Sequence, residues 1–437
     1  MKFTLSAVAL ASAAAIALTA CGGGTPNTTP ETTAGTTPAT SEAPAPQGGE
    51  IRVWLVGTDT PQAARDYLTS TFEKENAGSK LVIEEQQWTG LVDKLTTSLS
   101  SNDSPDIVEM GNTQAPAFTS AGALADLSGI QADLGGDDLL PGFVEAGSWD
   151  GKLYAAPYYS GARLAFYNTK QYKEAGVEVP TTLEQYVSNA VTLTEKLDGV
   201  SGVWFPGKDW YNALPFIWEN GGEIAVAGAD GTWDAQFSSA ESQAGLKQVQ
   251  EVMTKGSLAP KDGDETESWV PFRTEKAATL SAPSWAYWSI IADEDQKETA
   301  LTETLGYFNL PGKDGGVASV FAGGSNIGIS AKSANPELAQ SALKIILSEG
   351  YQTLLAEGGL VPARVSLGDK TAAATPELAT LIAAAAANAK LTPASPNWAE
   401  VEAKGLLQDF FVQIANGGDT ASLAKDLDEK IEAILNA

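Results

Sequence analysis

The side chains of this sequence that can do chemistry are carboxylates, amides, hydroxyls and indoles. The 437 residues include no histidine and one cysteine, Cys21. Ser/His/Asp and Cys/His nucleophilic sites are therefore impossible, and the commonest general base and metal ligand of proteins is missing. A pair of carboxylates for glycoside hydrolysis remains an alternative, with Glu109, near the end of a predicted strand, as the first candidate acid.

Tryptophan is the unusual residue, with 11 copies. The C–H face of a pyranose ring is apolar and stacks on an indole, while the ring hydroxyls need polar partners. Four indoles lie at predicted strand ends or in segments flanked by Pro, Gly or Asn, where we expect them to be half-exposed: Trp88, Trp210, Trp285 and Trp398. Four others are predicted to be core residues: Trp54, Trp218, Trp233 and Trp288.

Polar side chains that suit the edge of a sugar also follow predicted strands. Asn112 and Gln114 come directly after an apolar run at residues 106–110, and Asp59 comes after residues 50–56. Side-chain amides offer donors and acceptors together, as a hydroxyl-rich ligand requires. Aromatic residues beside amides and a carboxylate have the composition of a sugar site, although any one of these loops alone is also compatible with an ordinary βα turn.

The elements that must position these residues form an alternating pattern. Predicted strands lie at residues 50–56, 81–84 and 106–110, and predicted helices lie at residues 61–75, at residues 91–99 and from Pro116. This order indicates a parallel sheet covered by helices, and ligands bind past the carboxyl ends of such strands. Further along, Thr181 and Glu184 are spaced as a capping box for another helix.

Length and charge narrow the class of protein. The globular part is long enough for two domains. The net charge of −28 argues against binding nucleic-acid phosphates and against docking on anionic lipid. It suits solubility and a neutral or cationic partner.

The N-terminus has the pattern of a secretory signal. Lys2 precedes an apolar run at residues 5–18, which ends in Leu-Thr-Ala-Cys at residues 18–21. These four residues resemble a bacterial lipobox, in which the cysteine is lipidated and becomes the mature N-terminus. Residues 22–49 are rich in Gly, Thr and Pro and lack aromatic and branched aliphatic side chains, so they are predicted to form a disordered tether.

From Glu50 onward the chain resembles the sugar-binding lipoproteins of ABC importers, the extracellular solute-binding family that includes maltose-binding protein. The first of the matching stretches is similar to actinobacterial members that take up chitobiose and other amino-sugar or β-linked oligosaccharides. The stretches are PDIVEMGNTQAPAFTSAGALADL, YAAPYYSGARLAFYNTK, FRTEKAATLSAPSWAYWSI and FAGGSNIGISAKSANPELAQSALKIILSEG.

This resemblance implies an α/β fold of the type II periplasmic-binding-protein kind, with two lobes joined by hinge strands and a cleft between them. The matching crossovers lie near Pro157, Gly323 and Ser366. Lobe 1 is then predicted at residues 50–157 and 323–366, and lobe 2 at residues 158–322 and 367–437.

The resemblance also implies the ligand contacts. Asn112-Thr113-Gln114 replaces a charged pair of maltose-binding protein, which argues against α-glucan specificity. The implied contacts are Asp59, Trp88, Asn112 and Gln114 in lobe 1, Tyr158 and Arg163 after the first crossover, Trp210, Trp285 and Trp398 in lobe 2, and Gly324 and Ser325 on the hinge side.

The predicted function is that of a monomeric binding protein without a cofactor, held at the outer face of a Gram-positive cell membrane by its lipid alone. It would pass a di- or oligosaccharide to the permease of an ABC importer and would not be an enzyme. The alternatives are the same fold binding a peptide or polyamine, a secreted glycosidase, and a structural surface adhesin.

Overall fold

The computed structural model describes residues 48–292, 297–374 and 376–437. The predicted signal sequence at residues 1–21, Cys21 and nearly all of the predicted tether lie outside these described residues.

The β-strands of the described residues fall into one large sheet, one three-stranded sheet and three pairs. In chain order they are β1 Glu50–Val56, β2 Lys80–Gln86, β3 Ile107–Gly111, β4 Ser148–Trp149, β5 Lys152–Leu153, β6 Ala155–Gly161, β7 Arg163–Asn168, β8 Ala225–Ala227, β9 Trp233–Ala235, β10 Thr279–Pro283, β11 Leu305–Phe308, β12 Val320–Phe321, β13 Gly323–Ile329, β14 Val361–Pro362 and β15 Ala389–Lys390.

The α-helices of the same residues cover the faces of the sheets. They are α1 Gln62–Glu75, α2 Leu91–Ser100, α3 Ala115–Ser120, α4 Gln131–Leu134, α5 Pro141–Ala146, α6 Thr169–Ala175, α7 Leu183–Lys196, α8 Trp210–Glu219, α9 Ala240–Glu251, α10 Trp269–Arg273, α11 Ala286–Ile291, α12 Pro336–Ile346, α13 Glu349–Glu357, α14 Gly368–Ala374, α15 Pro376–Ala387, α16 Trp398–Ala403, α17 Leu406–Ala415 and α18 Thr420–Leu435.

The first sheet has the strand order β14-β6-β13-β3-β1-β2. β1 pairs in parallel with both β2 and β3, which confirms the parallel arrangement predicted from the alternating pattern. β13 lies antiparallel between β3 and β6. The helix α1 buries Ala64, Leu68 and Phe72 at helical spacing in the core on one face. The carboxyl ends of β1, β2 and β3 therefore meet at one edge.

The second sheet is smaller and antiparallel, with the order β10-β7-β11. Its strands share one core with α7, α8, α9, α17 and α18. Large side chains such as Phe166, Phe216 and Phe237 are fully buried there. This core is separate from the two clusters that pack on the faces of the first sheet.

The chain passes between the two sheets on consecutive strands. β6 ends at Gly161 in the first sheet, and β7 begins at Arg163 in the second sheet, so Ala162 lies at the passage. Ala322 likewise separates β12, which packs in the second core, from β13 in the first sheet. The two sheets and their helices form two lobes. The lobe boundaries predicted at 157/158, 322/323 and 366/367 stay predictions.

The start of α7 corrects the predicted capping box. The N-cap is Thr182, whose hydroxyl accepts from the backbone N–H of Gln185 at 3.3 Å. The side chain of Gln185 reaches back to the N–H and hydroxyl of Thr181 at 2.9 Å. The helix therefore begins one residue later than predicted, and Gln185 rather than Glu184 reaches back, to Thr181 before the N-cap and not to the N–H of Thr182 as in a capping box.

Candidate ligand-binding site

Asp59 and Trp88 lie together at the carboxyl edge of the first sheet. The register pairs Val56 with Gln86 at the ends of β1 and β2, and the loops that follow carry the two side chains. The indole of Trp88 is 40% exposed. Gly57 has a φ of +61°, and a Cβ there would lie 3.2 Å from the indole nitrogen, so only glycine lets the two loops approach this closely.

A chain of hydrogen-bonding oxygens leads from Asp59 into the core. The hydroxyl of Tyr159 lies 3.2 Å from Oδ2 of Asp59 and 3.1 Å from Oε1 of Glu109. Oε2 of Glu109 accepts from the backbone N–H of Val56 at 2.8 Å. Burial raises the pKa of Asp59, and hydrogen bonds from Tyr159 and Trp88 partly offset that rise.

Glu109 does not have the surroundings of a glycosidase acid. Its side chain is fully buried and both of its oxygens have protein partners. A general acid must reach the oxygen of the bond that it protonates, and this carboxyl faces the interior. Burial raises the pKa of Glu109 to about 7, which is a consequence of its place in the core.

The loop after β3 lies against both lobes. Asn112 is buried, and its amide donates to the carbonyl of Ala322 at 2.8 Å, so it holds the passage between the sheets. Gln114 is half-buried and its Oε1 accepts from the N–H of Gly111 at 3.3 Å. Thr113, between them, donates its hydroxyl to Oε2 of Glu402 in the second lobe at 2.9 Å.

Gly324 and Ser325 lie at the start of β13, next to this loop. Gly324 has a φ of +139°, and a Cβ there would meet the carbonyl oxygen of Tyr159 at 2.3 Å, so glycine is required. Its carbonyl accepts from the N–H of Asn112 at 3.1 Å. Ser325 is fully buried. The two residues support the hinge side of the site with their backbone.

Tyr158 is the extra residue of a bulge in β6, and its ring packs beside that of Tyr159 with 4.9 Å between centroids. It is fully buried, and its hydroxyl is 2.7 Å from the hydroxyls of both Thr60 and Tyr351. The two hydroxyls have different partners, because that of Tyr158 meets Thr60 and Tyr351 in the core whereas that of Tyr159 meets Asp59. The structure does not bring Tyr158 together with the other predicted contacts.

Arg163 is also buried, in a polar network of the second lobe. Its guanidinium forms a 2.7 Å ion pair with Glu265 and a 3.3 Å hydrogen bond with Asn212, and it lies 5.2 Å above the ring of Tyr211. Burial and then the charge of Glu265 raise the pKa of the nearby Asp209 to about 7, and the charge of Arg163 opposes the rise. Because the guanidinium of Arg163 packs on the ring of Tyr211, this network positions Tyr211.

The predicted exposure of Trp210 and Trp398 is wrong. Both side chains are almost completely buried, because α8 and α16 turn these residues into the core of the second lobe. Trp210 packs on the ring of Tyr211 with 4.0 Å between centroids, and Tyr211 itself is only partly buried. Trp398 donates its indole N–H to Oε1 of Glu402 at 3.0 Å.

Trp285 retains the predicted partial exposure. It packs against the cores of both lobes and contacts Trp269 edge to face at 5.7 Å between centroids. A Cβ at Gly161, next to the passage between the sheets, would lie 3.9 Å from the indole of Trp285. Trp288, predicted to be core, is 40% exposed, whereas Trp54 and Trp218 are buried as predicted.

Four residues that the sequence did not single out take part in the contacts of this region: Thr113, Tyr159, Tyr211 and Glu402. Each lies within four residues of a predicted contact. The periodicity of α8 and α16 could have suggested Tyr211 and Glu402 once the bounds of these helices were known, whereas simple alternation cannot identify Tyr159 because β6 has a bulge.

A cavity of about 120 Å³ separates the lobes beside the loop after β3. It is smaller than the roughly 300 Å³ at the lower end of small-molecule pockets, so a larger ligand requires the lobes to move apart. Its walls come from Asn112, Thr113, Pro116, Gly142, Glu145 and Ala146 in the first lobe and from Leu391, Thr392, Pro393 and Ala394 in the second.

Two other kinds of site receive no support from the described residues. Within them, no group of three or more Cys, Asp or Glu side chains is arranged to hold a metal ion. None of their helices has both the length and the apolar character that crossing a bilayer requires.

The fold and the cleft define a two-lobed binding protein. The model of the bacterial extracellular solute-binding proteins matches residues 57–353, and the chain belongs to that family. The diacetylchitobiose-binding protein DasA of Streptomyces coelicolor is 31% identical over 388 residues, which cover 87% of this chain and 88% of that protein. A mannitol-binding protein of Pseudomonas aeruginosa is 26% identical and covers 71% of this chain and 72% of its own length.

Solved structures confirm the type II fold. The GacH receptor of Streptomyces glaucescens, solved without ligand and with acarbose, superposes with a TM-score of 0.76 at 22% identity, covering 89% of this chain and 99% of the receptor. Maltose-bound MalE3 of T. maritima gives a TM-score of 0.75 at 20% identity, covering 89% and 100% of the two chains.

Proposed function

We propose that this protein binds a di- or oligosaccharide between its lobes and delivers it to the permease of an ABC importer. The observation that carries the proposal is the exposed indole of Trp88 beside the carboxylate of Asp59 at the edge of the cleft. The flat apolar surface of the indole can stack on the face of a sugar ring, and the carboxylate can accept hydrogen bonds from the hydroxyls at its edge. The relative named for diacetylchitobiose makes an N-acetylated disaccharide the first ligand to test.

The proposed contacts follow from where the side chains lie. Asp59, Trp88 and Gln114 are the direct contacts in the first lobe, and Trp285 and Tyr211 are those in the second. The buried members of the predicted set have a supporting role: Asn112, Tyr158, Arg163, Trp210, Gly324, Ser325 and Trp398.

The mechanism is closure of the two lobes on the ligand. A ligand that contacts both lobes stabilises the closed conformation by its differential affinity for that state. A micromolar site needs about 8 kcal/mol in total. Each stacked indole contributes about 1 kcal/mol beyond the burial of area, and hydrogen bonds and apolar burial supply the remainder.

We also propose that the protein has no hydrolytic activity. The candidate acid, Glu109, is enclosed by its own lobe and cannot reach a glycosidic oxygen in the cleft. Incubation with chromogenic glycosides should give no turnover. The same fold binding a peptide or polyamine is less well supported, because amides rather than carboxylates form the loop at residues 112–114.

The cell-surface anchor is a proposal on the lipobox-like residues alone. Diacylglyceryl modification of Cys21, with a further palmitoyl chain, would hold a monomer at the outer face of a Gram-positive membrane, since two or more chains give stable anchoring. Intact-mass analysis of protein from the native host should show the lipid on the wild type and not on Cys21→Ser. An unmodified Cys21 would contradict the anchor without affecting ligand binding.

Calorimetric titration tests the proposed ligand class. Diacetylchitobiose, cellobiose, maltose and mannitol should be compared on the wild type, Trp88→Ala and Trp149→Ala. We expect at least one saccharide to bind, Trp88→Ala to weaken binding at least tenfold, and Trp149→Ala to have no effect. Trp149 is the matched control because its indole is similarly exposed, at 44%, on the β4–β5 hairpin.

A further inference from the structure

The hydroxyl of Tyr159 lies between two carboxyl groups. Oδ2 of Asp59 is 3.2 Å from it on the side of the cleft, and Oε1 of Glu109 is 3.1 Å from it on the side of the core. Tyr159 and Glu109 are buried, so no bulk water replaces a missing donor. The three groups form one continuous path from the core to the proposed ligand site.

The number of hydrogens carried by Glu109, Tyr159 and Asp59 decides which hydrogen bonds these three groups can form. A tyrosine hydroxyl has one hydrogen, so it can donate to only one of the two carboxyl groups. If both carboxyl groups are ionised, the second one faces a lone pair of the hydroxyl oxygen inside the core, which is unfavourable. The hydroxyl of Ser325 lies near Glu109 and Tyr159, but it forms no hydrogen bond in the structure and so does not supply the missing hydrogen. If Oε1 of Glu109 carries a proton, Glu109 donates to Tyr159, and Tyr159 donates to Asp59. The backbone N–H of Val56 serves the other oxygen of Glu109 in either case.

We propose that Glu109 is a positioning residue of the sugar site, whose neutral carboxyl donates to Tyr159 and thereby commits the tyrosine hydroxyl to Asp59. Asp59 is then held in one orientation, with its Oδ1 available to the ligand. The role of this path in affinity rests on the proposed function, whereas the place of the proton does not.

The surroundings of Glu109 favour its neutral form. The titratable groups that face it are Asp59 after β1, Tyr158 and Tyr159 on β6, and Tyr351 on α13. None of these supplies a positive charge, and Arg65 on α1 acts on Asp59 rather than on Glu109. Burial is the main cause that raises the pKa of Glu109 to about 7, the charge of Asp59 acts in the same direction, and the N–H of Val56 and the hydroxyls of Ser325 and Tyr159 oppose the rise.

Ligand affinity should therefore fall as the pH rises. At pH 6 Glu109 is mostly protonated, and the hydroxyl of Tyr159 donates to Asp59. At pH 8.5 an ionised Glu109 competes with Asp59 for the one hydroxyl hydrogen. We expect the affinity of the wild type for its best saccharide to fall at least threefold between these two pH values.

The variant Glu109→Gln separates this role from a structural one. A glutamine at this position keeps the size of the side chain, accepts from Val56 through its oxygen and donates to Tyr159 through its nitrogen at every pH. The variant should fold and bind with an affinity near that of the wild type at pH 6, and this affinity should not change up to pH 8.5. Glu84→Gln is the control, because Glu84 accepts from Trp54 on the same sheet without touching Tyr159. It should retain the pH dependence of the wild type.

A measurement without ligand tests the protonation of Glu109 separately from saccharide binding. Infrared difference spectra between pH 6 and pH 8.5 should contain the C=O stretch of a neutral buried carboxyl group in the wild type, and this band should be missing in Glu109→Gln. Equal pH profiles of affinity in the wild type and Glu109→Gln, or the same infrared band in both, would overturn the inference. Absence of saccharide binding at every pH with the band present would refute the proposed function and leave the neutral Glu109 standing.

Discussion

The hydroxyl of Thr113 donates a 2.9 Å hydrogen bond to the carboxylate of Glu402, from the loop after β3 in the first lobe to α16 in the second. The other oxygen of Glu402 accepts from the buried indole of Trp398. Burial raises the pKa of Glu402 to about 7, and these two hydrogen bonds oppose that rise. The carboxyl group of Glu402 thus connects the two lobes, beside a cavity of only about 120 Å³.

The variant Thr113→Val should shift the ligand-free protein toward an open conformation. The substitution keeps the shape of the side chain and removes the donor to Glu402. A hydrogen bond of this kind contributes about 1 kcal/mol net, which corresponds to roughly a fivefold change in the ratio of closed to open molecules. Small-angle scattering or the distance between fluorophores on the two lobes would measure the change.

Thr96→Val is the matched control for that experiment. Thr96 is exposed on α2, and its hydroxyl donates to the carbonyl of Val92 within the same helix. It should leave the dimensions of the protein unchanged. An unchanged ratio of closed to open molecules in Thr113→Val would show that the hydrogen bond to Glu402 does not stabilise closure.

Saccharide binding should quench tryptophan fluorescence, and Trp285→Ala should weaken binding at least tenfold. Trp285 packs against the cores of both lobes and keeps part of its indole exposed, so a ligand in the cleft can cover it. The loss corresponds to about 1.4 kcal/mol, which is within the range of one aromatic stacking contact. Thermal unfolding of the ligand-free variant would show whether the substitution also affects stability. Wild-type affinity in Trp285→Ala would remove this residue from the site.

Tyr211 and Trp210 should differ in which property they control. Trp210 is buried under Tyr211 and Phe321, so Trp210→Ala should lower the free energy of unfolding by about 3–5 kcal/mol. Tyr211 is only partly buried, so Tyr211→Ala should weaken ligand binding with a smaller loss of stability. Urea unfolding and ligand titration of both variants would test the contrast, and a larger binding defect than stability defect in Trp210→Ala would reverse the assignment.

The stability of the second lobe should increase on acidification because of Asp209. Burial raises the pKa of Asp209 to about 7, while an unfolded aspartate titrates near 4. The folded state therefore binds more protons between these values, and the stabilising contribution is complete below about pH 4 and is lost as the pH rises through about 7. Urea unfolding at pH 5 and pH 8 should show a larger loss of stability in the wild type than in Asp209→Asn.

Asparagine keeps the N-cap of α8, where Asp209 accepts from the N–H of Asn212 at 3.1 Å, but its amide nitrogen would face the side-chain amide of Asn212, which donates to Oδ2 of Asp209 at 2.6 Å. The change of stability between the two pH values, and not the stability at one pH, is therefore the quantity to compare. Asparagine caps helices about as well as aspartate. Ser239→Asn, at the N-cap of α9, is the control for the substitution itself, since neither side chain titrates. The same dependence on pH in Asp209→Asn as in the wild type would contradict the prediction.

The sequence predicts the fold well because its signals are periodic and local. The alternation of Glu50–Val56 and the helical spacing of Ala64, Leu68 and Phe72 each specify an element whose buried face the structure confirms. The strand ends then place Asp59 and Trp88 at one edge, because parallel neighbours end together.

The orientation of single side chains could not be predicted in the same way. Whether the hydroxyl of Tyr158 or of Tyr159 reaches Asp59 depends on a bulge in β6, which nothing in an aromatic run identifies. Trp210 and Trp398 begin the helices α8 and α16, and the packing of those helices turns the indoles inward. The hydrogen bond from Thr113 to Glu402 joins residues 289 positions apart, and it depends on how the two lobes close.

The most direct test of the account is calorimetric titration of the ligand-free protein with diacetylchitobiose and longer oligosaccharides. We expect binding to a single site with a dissociation constant in the micromolar range or lower. The affinity should fall at least tenfold in Trp88→Ala and be unchanged in Trp149→Ala. Absence of heat and of a thermal shift with every saccharide, or equal binding by the wild type and Trp88→Ala, would contradict it.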